Sequence, residues 1–75
     1  MSEVEQLKRD YNYFLKRIKK GWEYLDNTEL SREKQDYYIK ELKKLMFRIE
    51  NIIDKLEDKG VEVTSEIIQE GFNDG

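Results

Sequence analysis

Apolar positions recur at steps of three and four through two long stretches of the chain. Val4, Leu7, Tyr11, Phe14, Ile18, Trp22 and Leu25 follow one another in this way, which places them along a single stripe of a helix. Tyr38, Leu42, Leu45, Ile49, Ile52 and Leu56 alternate strictly between steps of four and three, the heptad seam of a helix that packs lengthwise on another. Ser2 with Glu5 three residues on is a capping box, and Ser31 is a good N-cap for the second stretch, with Glu33 and Asp36 favouring its positive end. The spacing therefore predicts helices over about 3–26 and 32–59. The short polar connection Asn27-Thr28-Glu29-Leu30 forces them antiparallel.

Gly60 can take the left-handed conformation that ends a helix, with Val61 beyond it placed to touch Leu56. Residues 60–75 then read as a short extended segment, a helix of about 65–70 capped by Thr64 and an acidic tail. Val63 and Ile68 can staple that helix, Gly71 should end it with Phe72 reaching back to Ile67, and Asn73-Asp74-Gly75 should fray. The expected fold is all-α: a long, coiled-coil-like antiparallel hairpin over residues 1–59, followed by a short C-terminal helix.

The apolar stripes are too wide for one partner helix each. If the chain turns near residues 28–29, Phe14 faces Leu42, Tyr11 faces Leu45 or Met46, and Leu7 faces Ile49. Helix 2 then carries a second apolar file at Ile39, Met46 and Ile53, seven residues apart, and Leu15 and Trp22 widen helix 1 in the same way. A four-helix bundle covers such faces, so a homodimer, or a docking surface for another protein, is expected at Leu15, Trp22, Ile39, Met46 and Ile53. The alternative cover is the chain's own C-terminal segment, with Val61, Val63, Ile67, Ile68 and Phe72. Size favours self-association, because 75 residues without cysteine have few other sources of stability. Gly21 costs a helix interior roughly 1 kcal/mol relative to alanine. It reads either as a place of close approach or, preferred here, as a tolerated weak point near the helix end.

Charge changes this picture more than composition does. The net charge of −3 conceals a gradient: residues 1–25 carry six basic and four acidic side chains, residues 26–48 six and five, and residues 49–75 two and eight. Charged residues make up 41% of the chain, yet nine aromatics at helical spacing set it apart from a disordered one. No apolar run is long enough for a membrane span and the amino terminus has no basic start followed by an apolar core. A cytoplasmic protein without membrane contact is expected.

Catalytic chemistry is poorly supplied. There is no histidine to act as base, no cysteine, and no glycine-rich phosphate loop, while Ser2, Ser31, Thr28 and Thr64 suit caps and turns. Glu62, Glu66 and Glu70, or Asp54 with Glu57 and Asp58, have a spacing that a hard cation could use, but a solvated acidic face has the same spacing. The reading is a non-enzyme with no cofactor, metal or small-molecule substrate.

A belt of Lys16, Arg17, Lys19 and Lys20 on helix 1 falls opposite Lys40, Lys43, Lys44 and Arg48 on helix 2. Tyr13 and Phe47 lie off the seam beside it, as do Tyr24 and Tyr37. Cations with exposed aromatics are what a phosphate backbone and stacked bases require. Asp10, Glu23, Asp36 and Glu41 interrupt the belt, and a pI of about 5.0 weighs against a dedicated nucleic-acid binder. The leading expectation is a small interaction protein that docks a helical face onto a macromolecular partner to regulate or inhibit it. The lysine, glutamate, isoleucine and tyrosine bias fits a phage or mobile-element source. A nucleic-acid-associated regulator and a structural subunit of a larger assembly are the competing readings.

Overall fold

The computed structural model describes residues 2–72 and is all-helical among them: α1 spans Glu3–Asn27, α2 Arg32–Asp58 and α3 Ser65–Glu70. Each helix starts where a hydroxyl stands in for a missing backbone partner. Ser2 Oγ accepts from the Glu5 amide at 3.1 Å, Ser31 Oγ from Lys34 at 3.4 Å and Thr64 Oγ1 from Ile67 at 3.2 Å. At the end of α2 the amides of Gly60 and Val61 donate to the carbonyls of Glu57 and Leu56, both at 3.0 Å, and Gly60 has φ +84°. This pair of bonds satisfies two of the last carbonyls and requires a left-handed residue, which glycine supplies without strain.

The two long helices pack side by side in a molecule 43 Å long and about half as wide, with extents of 23 and 21 Å across. The main core lies at the open end of the hairpin: Leu7 and Tyr11 of α1 meet Ile52 and Leu56 of α2, with Val4, Phe14, Leu15, Ile49 and Ile53 packed around them. Ile18 and Leu42 continue the buried seam toward the loop.

The register differs from the expected one. Glu3 pairs with Lys59 at 3.1 Å, Arg48 lies over the Phe14 ring, and the rings of Tyr24 and Tyr38 meet edge to face. Relative to the expected Phe14–Leu42 and Leu7–Ile49 layers, helix 2 is displaced by more than one helical turn of 3.6 residues. The cause is the connection: α1 runs to Asn27 and the chain stays extended through Thr28, so the hairpin turns later than residues 28–29.

The wide stripe is covered at the open end by the chain itself. Val61, Val63 and Phe72 pack against the core cluster. The Phe72 ring, expected against Ile67, meets Tyr11 edge to face at 5.5 Å, and the Lys8 ammonium lies 5.6 Å from its centre. The expected fraying of Asn73-Asp74-Gly75 lies outside the described residues.

Gly21 proves to be a place of close approach. A β-carbon there would collide with the Leu42 side chain, whose Cγ lies 3.3 Å from the position it would occupy. The preferred reading of a tolerated weak point is therefore corrected: the missing side chain lets α2 lie against the α1 backbone, and that packing offsets the helix cost of glycine.

Candidate functional site

The five residues expected to form an interface divide along the length of the hairpin. Leu15 and Ile53 are part of the packed shell around the open-end core. Trp22 and Met46 are 41% and 40% exposed, and Ile39 is half-buried. Helical spacing places Trp22, Ile39 and Met46 on the same side of the hairpin as Leu15 and Ile53, toward the loop. The C-terminal segment therefore covers the open half of the stripe, and the loop half stays bare.

The opposite side of the loop half holds a groove of about 650 Å³ between the helices. Gly21, Leu42 and Leu45 lie along it, with Tyr24, Tyr37 and Tyr38, and Arg17, Lys20 and Glu41 complete its lining. The tyrosines support one another: Tyr24 meets Tyr38 at 5.5 Å and Tyr37 meets Tyr38 at 5.6 Å, both edge to face. Compared with known proteins, the chain matches no family model, no curated protein and no solved structure.

All eight cations of the belt are solvent-facing or nearly so, and helical spacing distributes them around the loop half instead of along one face. Several already have uses within the chain. The Arg17 guanidinium lies 5.7 Å from the Tyr13 ring centre and that of Arg48 5.8 Å from Phe14, contacts that hold each cation over an aromatic face. Lys44 pairs with Glu41 at 3.3 Å, an exposed pair of small energetic worth. Lys16, Lys19 and Lys20 line a smaller depression of about 370 Å³ with Asn12, Leu15, Glu23 and, from α3, Glu70. Lys40 and Lys43 are exposed, as is Phe47, at 64%. No group of three or more His, Cys, Asp or Glu side chains among the described residues is placed to hold a metal ion. No helix among them is long and apolar enough to cross a membrane.

Two residues that fix the C-terminal segment had no motif to announce them. The Asn12 amide donates from Nδ2 to the Phe72 carbonyl at 2.9 Å, and its Oδ1 accepts from the Phe72 amide at 2.7 Å, so one side chain satisfies both backbone groups. Tyr11, fully buried, donates its hydroxyl to the Ile68 carbonyl at 2.7 Å, and burial pushes its pKa above the usual tyrosine value of 10.0. The only sequence signals are a polar residue beside an apolar stripe and a hydroxyl within it.

Proposed function

We propose that this chain is a non-enzymatic, cytoplasmic interaction protein that pairs with a second copy, placing four long helices together, and docks on a protein partner to regulate it. One observation carries the reading. The aromatic side chains are segregated: Tyr11, Phe14 and Phe72 pack at the open end, whereas Trp22, Tyr24, Tyr37 and Tyr38 lie in the loop half and are 37–61% exposed. Four large exposed aromatics on one half of so small a molecule exceed what a solvated surface needs. Tyrosine, tryptophan and arginine are also the residues that most often supply binding energy in protein interfaces. The tyrosine groove suits a partner that inserts an apolar side chain over Gly21 and sets carboxylates near Arg17 and Lys20.

The test compares the wild-type chain with a Tyr24→Ser/Tyr37→Ser variant, both sites being solvent-exposed so that folding is retained. A protein captured from native lysate is purified and titrated against both chains. The expected result is saturable binding by the wild type, weakened at least about tenfold in the variant, as for loss of interface anchors. Equal capture by both chains would refute the tyrosine groove as the docking site. Retardation of single-stranded oligonucleotides that fades steeply with salt would instead support the nucleic-acid reading.

A further inference from the structure

Away from the loop, the tyrosine groove gives way to an aromatic pair that carries two guanidinium groups. The rings of Tyr13 and Phe14 meet at 5.4 Å, with Arg17 of α1 over the first and Arg48 of α2 over the second. Both arginines are exposed, and neither has a carboxylate partner among the described residues. The positions one turn to either side of each, three and four residues away on its own helix, hold no acidic residue. Two turns away stand Asp10 and Glu41, and both are engaged within the chain: Asp10 accepts from Gln6 Nε2 at 3.0 Å and Glu41 pairs with Lys44 at 3.3 Å. Lys20 also lines the smaller depression, which Glu23 shares, so the two arginines set the charge of the groove. Between them and the loop-end tyrosines the floor is Gly21, Leu42 and Leu45, and it is apolar.

We infer that this groove receives an acidic amphipathic helix of a partner protein, with an apolar side chain over Gly21 and carboxylates on Arg17 and Arg48. The inference rests on the docking proposed above and adds what the partner segment must carry. A third helix laid between two packed helices fills such a groove with its apolar face. Arg17 lies four residues from Gly21 along α1, about 6 Å at the helical rise of 1.5 Å per residue. A carboxylate one turn from the partner's apolar anchor therefore falls at Arg17, and its neighbour on that turn at Arg48, across the same aromatic pair. Guanidinium groups hold carboxylates through two parallel hydrogen bonds, which fixes the register of the partner as well as its charge. Nucleic-acid bases are served less well. They stack on open ring faces, whereas Arg17 and Arg48 each cover one here and Tyr24 and Tyr37 are turned edge to face with Tyr38. The net charge of −3 also opposes a long polyanion, while a short acidic helix meets only the local field.

The probe is a displayed library of random peptides about four helical turns long, roughly 15 residues. It is selected on the wild-type chain and counter-selected on the Tyr24→Ser/Tyr37→Ser variant. Selected peptides should carry Asp or Glu three or four positions from an apolar residue. Their affinity, read by fluorescence anisotropy, should fall at least about tenfold on Arg17→Gln/Arg48→Gln with helical circular dichroism unchanged. On an Arg17→Glu/Arg48→Glu chain the selection should turn to lysine-bearing peptides, a reversal that misfolding cannot produce. Groove-dependent peptides without acidic bias, or binding indifferent to both arginines, would overturn the acidic helix and leave the groove as a docking site. The absence of any peptide that depends on Tyr24 and Tyr37 would overturn both. An oligothymidylate held more tightly than the selected peptides, and released by the arginine changes, would overturn the acidic helix in favour of single-stranded nucleic acid.

Discussion

Replacing Asn12 with alanine tests how the C-terminal segment is held. The substitution removes two hydrogen bonds to the Phe72 backbone, at 2.9 and 2.7 Å. At about 0.5–1.5 kcal/mol net for each bond, the direct loss is about 1–3 kcal/mol. Alanine favours the helix interior over asparagine by roughly 0.5 kcal/mol, which offsets part of it. The expected net destabilisation is therefore about 0.5–2.5 kcal/mol, measured by urea unfolding followed by far-ultraviolet circular dichroism. Asn12→Asp should be at least as harmful, because it keeps the acceptor for the Phe72 amide but turns a second acceptor toward the Phe72 carbonyl. Hydrogen exchange separates local from global effects: the Phe72 amide should lose protection in both variants before Leu56 does. An alanine variant as stable as the wild type, with Phe72 equally protected, would refute the clasp.

Other perturbations address the remaining contacts. Tyr11→Phe keeps the ring against Phe72 and removes only the bond to Ile68, so it should cost about 1 kcal/mol in the same unfolding assay. Because burial raises the Tyr11 pKa, folding favours the neutral phenol. The corresponding stability is intact below the unfolded value near 10 and falls as pH rises above it toward the folded value. Alkaline unfolding of the wild type should thus begin above about pH 10, with a component that Tyr11→Phe lacks. Gly21→Ala gains roughly 1 kcal/mol of helix propensity but overpacks Leu42, at about 1–3 kcal/mol, so the variant should unfold at lower urea; a stabilised variant would show that the approach of α2 is not tight. Thr64→Ala should loosen α3 by about 1 kcal/mol, seen as faster amide exchange at Ile67 with α1 and α2 unaffected.

The helices and their ends were legible because each is specified locally. Ser2, Ser31 and Thr64 cap where hydroxyls precede apolar periodicity, and Gly60 stops α2 through bonds that only a left-handed residue completes. The register was not legible, since a slide of more than one turn along the two apolar stripes still sets apolar residues facing apolar ones, and the choice falls to how far the chain extends past Asn27. Gly21 illustrates the same limit: glycine at a helix contact and glycine at a weak point look identical until the facing residue, Leu42, is known. The cover of the wide stripe could be read only as a pair of alternatives. Asn12 decides for the C-terminal segment at the open end, and its partners are sixty residues away. Of the candidate interface, the Trp22, Ile39 and Met46 half is exposed or half-buried, while Leu15 and Ile53 belong to the chain's own packing.

The bare loop half is proposed as a contact surface, first for a second copy of the chain. Its most direct test is the mass of the purified protein by light scattering over a wide range of concentration. Twice the chain mass of 9.2 kDa is expected at high concentration, reverting toward the single-chain value on dilution or in a Trp22→Ser/Met46→Ser variant. A mass of 9.2 kDa throughout would contradict it.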